Sequence, residues 1–227
     1  QDEQRNAILS MVGHDLRQPL SAARITLELL GQGGYGPVSA TVAKRVDSTV
    51  AILESLTRMI RDLLDTENLR SGKFAVEKTL IDLQAVCEQA NSTLSPLAES
   101  RRVNIQLKVV SVEGLFDADR ILQVLNNLIG NAVKFSPAGG TITLSLTREA
   151  DSALLTVADQ GPGISAQEIG KVFERYYQTG IGKRVEGSMG IGLHICKEII
   201  TKHGGDIGVE SLSEKGACFW LRLPLTE

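Results

Sequence analysis

The sequence predicts a multidomain chain, an α-helical hairpin followed by an α+β sandwich. Three observations carry this prediction. Up to about Leu69 the apolar residues recur at helical spacing, with one glycine-rich interruption. Beyond Lys73 short alternating runs are interleaved with helical patterns. The helical patterns on that side are long enough to cover one face of a mostly antiparallel sheet, which is the layout of an α/β sandwich.

Ile8, Leu9, Val12, Leu16 and Leu20, continued by Ala23, Leu27 and Leu30, form the stripe of a first helix. The segment GQGGYGP, from Gly31 to Pro37, breaks it. Val42, Val46, Val50, Leu53, Leu56, Ile60, Leu63 and Leu64 mark a second helix, so the two make an antiparallel hairpin. A lone hairpin has one thin apolar face. Pairing with a second copy would complete a four-helix bundle, and the expectation is a homodimer. The chain starts inside a helical pattern, which reads as a piece of a longer protein.

Arg70–Lys73 is expected to be a joint between residues 1–69 and 74–227. A short strand is expected over Phe74–Glu77, then a helix from Asp82 to Ser100 and a strand over Val103–Val109. Asp117 is a good N-cap for a helix that runs to Phe135. Thr141–Thr147 and Ala153–Ala158 read as a hairpin. Ser165 and Glu168 have the spacing of a capping box. A helix over Gly190–His203 and strands over Asp206–Ser211 and Ala217–Leu223 complete the order.

Composition excludes several functions. A formal charge of −3 with dispersed Lys and Arg gives no electrostatic footprint for nucleic acid, and 4% aromatics gives no stacking surface. Cys87, Cys196 and Cys218 lack metal-ligand spacing and read as reduced thiols of a cytosolic protein. No apolar run is long enough to span a bilayer, so no membrane contact by this fragment is expected.

Chemistry is concentrated in three stretches. In RILQVLNNLIGNAVKF a polar stripe of Arg120, Gln123, Asn127, Asn131 and Lys134 shares one helix face. A solvated stripe would favour Glu and Lys, whereas Asn is a poor helix former. Two Asn one turn apart offer carbonyl oxygens to a hard cation such as Mg²⁺, and Lys134 could meet a phosphate. In VADQGPGIS a strand ends at Asp159, and Gly161 and Gly163 allow close backbone approach. A carboxylate there could accept from an exocyclic amine, although a plain Gly-Pro turn has the same letters. In GSMGIGL glycines open a helix, a ready phosphate site that matches neither the dinucleotide fingerprint nor Walker A.

Taken in this order, the three stretches resemble the adenine-nucleotide fold shared by histidine kinases, Hsp90, type II topoisomerases and mismatch-repair ATPases. N-x-x-x-N-A-x-K, with Asn127, Asn131 and Lys134, resembles the histidine kinase branch. The segment SMVGHDLRQPL, with His14, Asp15 and Arg17, resembles the phospho-acceptor helix of sensor histidine kinases. The resemblance implies autophosphorylation of His14 by ATP, then transfer to an aspartate of a response-regulator receiver domain. Asp15 would be the orienting base. Asn127 and Asn131 would hold Mg²⁺, and Lys134 would meet the phosphates.

By the same resemblance Asp159 would read adenine, with Gly161, Gly163 and Ile164 around it and Phe135 beside it. Gly187, Gly190, Gly192 and Leu193 would line the phosphate side. Phe173 would anchor a lid over Gly180–Met189, with Arg175, Lys183 and Arg184 as candidate phosphate contacts. Hydrolysing branches carry Glu where this chain has Asn127, and an amide is no general base. Gln18 stands where many members have Thr or Asn, a position linked to dephosphorylating the partner. The implied location is cytoplasmic, in a larger sensor protein.

Overall fold

The first described helix, α1, covers residues 18–31 of a computed structural model whose described residues are 18–180, 182, 190–211 and 216–225. It gives way to a turn in which Gly33 and Gly36 adopt φ of 80° and 115°, a region that a Cβ disfavours. Helix α2, Ala40–Arg70, starts at Ser39, whose hydroxyl oxygen accepts from the Val42 N–H at 3.3 Å. It ends where Gly72 takes φ 68° and the Lys73 N–H returns to the Asn68 carbonyl at 2.9 Å, the Schellman closure. Arg70, expected in the joint, is thus the last residue of α2.

Contacts divide the chain into two compact units, Gln1–Phe74 and Ala75–Glu227. In the first, Val46 is buried, while Ile52 remains 61% exposed and Ile25 50%.

The second unit opens with β1, Thr79–Asp82, five residues beyond the start of the strand expected at Phe74–Glu77. Its place is set by a distant partner. β1 pairs antiparallel with β3, Glu113–Phe116, from Thr79↔Phe116 to Asp82↔Glu113. Between them lie α3, Leu83–Ser100, and β2, Asn104–Val109. Asp82 caps α3, its Oδ1 accepting from the Gln84 N–H at 2.9 Å.

Helix α4, Ala118–Phe135, is capped by Asp117. Asp119 in its first turn and Lys134 in its last complement the helix dipole. Ser136-Pro137 ends it, because the residue before proline avoids the helical region. Then come β4, Thr141–Arg148, β5, Ser152–Ala158, and the short α5, Ala166–Ile169. Helix α6, Gly192–Lys202, and strands β6, Asp206–Ser211, and β7, Ala217–Pro224, follow.

β2, β4, β5, β7 and β6 lie in that order in one sheet, with β2 parallel to β4 and the other pairs antiparallel. Helices α3, α4 and α6 pack together on one face. Ile121, Leu125, Leu128 and Ile129 of α4 and Ile195 and Ile199 of α6 are at most 1% exposed, as are Ile142, Leu144, Leu146 and Leu155 beneath them. Each such side chain contributes ~2 kcal/mol by leaving water.

The capping box expected at Ser165 and Glu168 does not form. The Ser165 hydroxyl donates to the Glu168 carboxylate at 2.6 Å and caps no backbone N–H. The other Glu168 oxygen accepts from the Gly180 N–H at 3.0 Å, so the side chain ties the Ser165 hydroxyl to the following loop. Cys87, Cys196 and Cys218 are free thiols.

Candidate functional site

Helix α4 turns its buried stripe to the sheet and leaves Asn127 and Asn131 together on another face. The Asn131 amide donates to the Asn127 carbonyl oxygen at 3.3 Å. Gly192, at the start of α6, lies directly against the Asn127 carboxamide, and a Cβ there would collide with it. The side-chain oxygens of these two residues are neutral, hard donors, the kind that suit a magnesium ion already carried by phosphates. Lys134 stands one turn on, its ammonium 5.6 Å from the centre of the Phe135 ring.

Asp159 follows the last residue of β5 and is 8% exposed. Its Oδ1 accepts from the Gly161 N–H at 2.7 Å and from the Ala217 N–H at 3.3 Å. Burial pushes its carboxyl up from the ordinary value, against the lowering effect of those two bonds. Among the described residues no protein donor reaches Oδ2, which leaves one acceptor in a sheltered place. Gly161 is buried between Asp159 and the Phe135 carbonyl, and its ideal Cβ would come 3.0 Å from that oxygen. Ile164 is held by its N–H, which donates to the Ser211 hydroxyl at 3.2 Å. A Cβ on Gly163 would stand 2.9 Å from the same hydroxyl. The end of β6 thus supports the loop after β5, a role that the sequence does not announce.

Gly190 has φ 67°, and a Cβ there would come 2.5 Å from the Tyr177 carbonyl. The turn after Phe173 is therefore packed on the entry to α6. The His194 Nδ1 lies 3.3 Å from the Phe173 carbonyl and strengthens that junction. Phe173 packs edge-on to Phe219, with ring centres 6.4 Å apart. Arg175 has its guanidinium 5.0 Å from the Tyr176 ring centre and a buried Nε with no hydrogen-bond partner among the described residues. Leu193 is half-buried in the first turn of α6.

The structure therefore gathers the Asn pair, the Asp159 loop and the entry to α6 around α4. Gln18 is exposed at the start of α1. His14, Asp15, Lys183, Arg184 and Gly187 lie outside the described residues. Sequence reasoning missed Ser211, Ala217 and His194. Only their three-dimensional neighbours reveal them.

Comparison with known proteins agrees with this arrangement. Residues 116–227 match the family described as histidine kinase-, DNA gyrase B-, and HSP90-like ATPase. Residues 4–72 match the His Kinase A (phospho-acceptor) domain. The alginate biosynthesis sensor protein KinB of Pseudomonas aeruginosa is 33% identical over 97% of this chain and 37% of its own length. The sensor histidine kinase WalK of Bacillus subtilis is 33% identical over 100% of this chain and 38% of its own length. The adaptive-response sensory kinase SasA of Synechococcus sp. (strain JA-3-3Ab) is 32% identical over 97% of this chain and 59% of its own length. The chain thus spans 37% to 59% of the length of these curated relatives. Among solved structures, full-length ShkA in complex with AMPPNP superposes with a TM-score of 0.73 at 25% identity, covering 97% of this chain and 46% of ShkA. The mycobacterial sensor histidine kinase MprB gives 0.57 at 27% identity, over 65% of this chain and 97% of that one.

Proposed function

This chain belongs to the histidine kinases and carries their catalytic core, a phospho-acceptor domain joined to an ATP-binding domain, and we propose that it moves the γ-phosphoryl group of ATP to His14 and from there to an aspartate of a response-regulator receiver domain. One observation carries the reading furthest. The polar face of α4 presents a paired Asn127 and Asn131, and no carboxylate, beside the entry to α6. An amide cannot take a proton from water, so transfer to another acceptor is favoured over hydrolysis.

The buried Asp159 offers Oδ2 to an exocyclic amine, which selects adenine over a base presenting a carbonyl there. Gly161, Gly163 and Ile164 form the floor, and Phe135 flanks the base. Lys134 and the half-buried Arg175 supply positive charge to the phosphates, joined by Lys183 and Arg184 from the lid. Gly190, Gly192 and Leu193, with Gly187 as a further candidate, would bring backbone N–H groups toward the same oxygens. Magnesium, held through the Asn127 and Asn131 oxygens, would neutralise phosphate charge.

His14 attacks with the lone pair of one ring nitrogen. A nitrogen–phosphorus bond forms as the bond to the ADP oxygen breaks. Asp15 holds the proton of the other ring nitrogen and stabilises the imidazolium charge that develops. In the second step the receiver carboxylate takes the phosphoryl group and the imidazole is regenerated. Gln18, four residues after His14 in sequence, would orient water against the phosphorylated partner.

The hairpin is proposed to act as a homodimer. Ile25, Leu29, Ile52, Leu56 and Leu63 are all more than two-fifths exposed, a stripe that a second hairpin would bury in a four-helix bundle. Ser71–Lys73 are the proposed pivot between the units, and the proposed location is the cytoplasm, where ATP is available.

The test is incorporation of label from γ-labelled ATP with Mg²⁺. The unmodified chain should acquire acid-labile protein phosphate and release little free phosphate. His14→Ala should acquire none, and retained label in that variant would remove the proposal. Asn131→Ala should weaken Mg-ATP binding in calorimetry by about tenfold.

A further inference from the structure

Helix α6 runs antiparallel to the first half of α4 and touches it at both of its own ends. At one end Gly192 abuts Asn127. At the other, the Asp117 N–H donates to the Nε2 of His203 at 3.0 Å. The ten residue steps from Asp117 to Asn127 and the eleven from Gly192 to His203 span ~15 Å and ~16 Å at helical rise, so the two lengths match. The pair is a stiff connection between the proposed phosphate end and a polar cluster at the opposite end.

That cluster is fully wired. Asp117 Oδ1 accepts from the Arg120 N–H at 3.1 Å and caps α4. Asp117 Oδ2 accepts from the Glu77 N–H at 2.9 Å. His203 is 2% exposed and closes α6. Its Nδ1–H donates to the Ile199 carbonyl at 2.8 Å, which fixes the tautomer with a bare Nε2. The His203 carbonyl accepts from the Lys78 ammonium at 3.3 Å. The ring lies 6.3 Å from that of Phe116. Glu77 and Lys78 immediately precede β1, on the stretch by which the chain enters the second unit. One of them is tied to the start of α4 and the other to the end of α6.

We propose that Asp117 and His203 form a joint that fastens the incoming chain to the α4–α6 pair, making His203 a positioning residue for phosphoryl transfer. A pivot needs a fixed side, and this joint supplies it. Rotation between the units is then confined to residues before Glu77, and a shift of α6 against α4 at the nucleotide end is carried to Glu77 and Lys78. A leucine would fill the space of His203 as well, but it could not accept from the Asp117 N–H. The inference rests on the reading of this chain as a kinase of His14.

The experiment compares the unmodified chain with His203→Leu, His203→Gln and Asp117→Asn. Asn keeps the capping oxygen of Asp117 but presents an NH₂ to the Glu77 N–H. Gln can set Oε1 where Nε2 stands. For each variant three quantities are read: nucleotide affinity, the rate of His14 phosphorylation at saturating ATP, and amide exchange at Glu77. The joint predicts nucleotide affinity within about threefold of the unmodified chain and rates about tenfold lower in His203→Leu and Asp117→Asn, with recovery in His203→Gln. It also predicts faster exchange of the Glu77 amide in Asp117→Asn. Unchanged rates in variants that bind nucleotide, or affinity and rate lost together, would overturn it. If His203→Leu does not fold, Asp117→Asn decides alone. If even the unmodified chain takes up no phosphate, the kinase reading fails, and the Glu77 exchange still accepts or rejects the joint.

Discussion

Gly192 lies so tightly against Asn127 that the first carbon of any side chain would displace the carboxamide. The contact joins the entry of α6 to the polar face of α4.

Gly192→Ala should therefore separate stability from binding. Alanine in a first helical turn is favoured over glycine by up to ~1 kcal/mol, so the melting temperature should hold or rise. The displaced Asn127 should lower Mg-ATP affinity by about tenfold in calorimetry. Unchanged affinity would show that the Asn127 position is unimportant to binding.

Asp159→Asn addresses the buried carboxylate. Burial raises the folded-state pKa above the ordinary carboxyl value, so the native state holds this proton more tightly than the unfolded chain does. Its contribution to stability is greatest below the unfolded value and falls as pH rises through the folded one. The Asn variant keeps the Oδ1 acceptor and has no such loss. Its stability relative to the parent, measured by urea titration, should grow from about pH 4 toward neutrality. ATP affinity should fall about tenfold to a hundredfold, the range for a hydrogen bond to a charged group.

His203 predicts the opposite slope. Burial is the main cause that lowers its pKa below 6.5, with Lys78 adding to the effect and Asp117 and the Ile199 bond opposing it. The unfolded chain then binds the proton more readily. The stabilising effect of neutral His203 is complete above the unfolded value and is lost as pH falls from there through the lower folded value. His203→Gln should flatten the decline in denaturation midpoint between about pH 7.5 and pH 5.5. An equal decline in both proteins would assign it to other groups.

The thiols should react in an order set by burial. The Cys87 thiol is fully buried and pushed up to about 12, chiefly by desolvation. Cys196 is 1% exposed, whereas Cys218 is half-buried. A thiol reagent at pH near 8 should label Cys218 first and reach Cys87 only on unfolding. Early labelling of Cys87 would indicate that the α3 side of the core opens locally.

Helix α4 is legible in the sequence because its signals are local: an Asp cap, a 3.6-residue apolar period, and a proline just beyond the end. The same holds for the β4–β5 pair, whose alternation and short turn lie within one stretch. β1 is misplaced because Phe74 and Val76 alternate as well as Thr79–Asp82 do. Only pairing with Glu113–Phe116 decides between them, and no local pattern contains that information. In the candidate site the residue types are visible and their contacts are not. Asn127 meets Gly192, and Asp117 meets His203, across 65 and 86 positions of sequence. His203 looks like the ordinary end of a helix until its ring is seen against Asp117.

The strand order also determines how the chain tolerates being cut. The sheet ends in β2 on one side and β6 on the other, and both margins carry polar or charged exposed residues: Asn104, Gln106 and Lys108, and Asp206 and Glu210. Such margins discourage a second sheet from adding on. β7 lies between β5 and β6, so a chain ended before Ala217 would bare the flank of β5 together with Ala153, Leu155 and Val157. That fragment would be a template for aggregation. A cut between Phe74 and Ala75 strips no strand from the sheet, and the fragment that begins there should stay dispersed at high concentration.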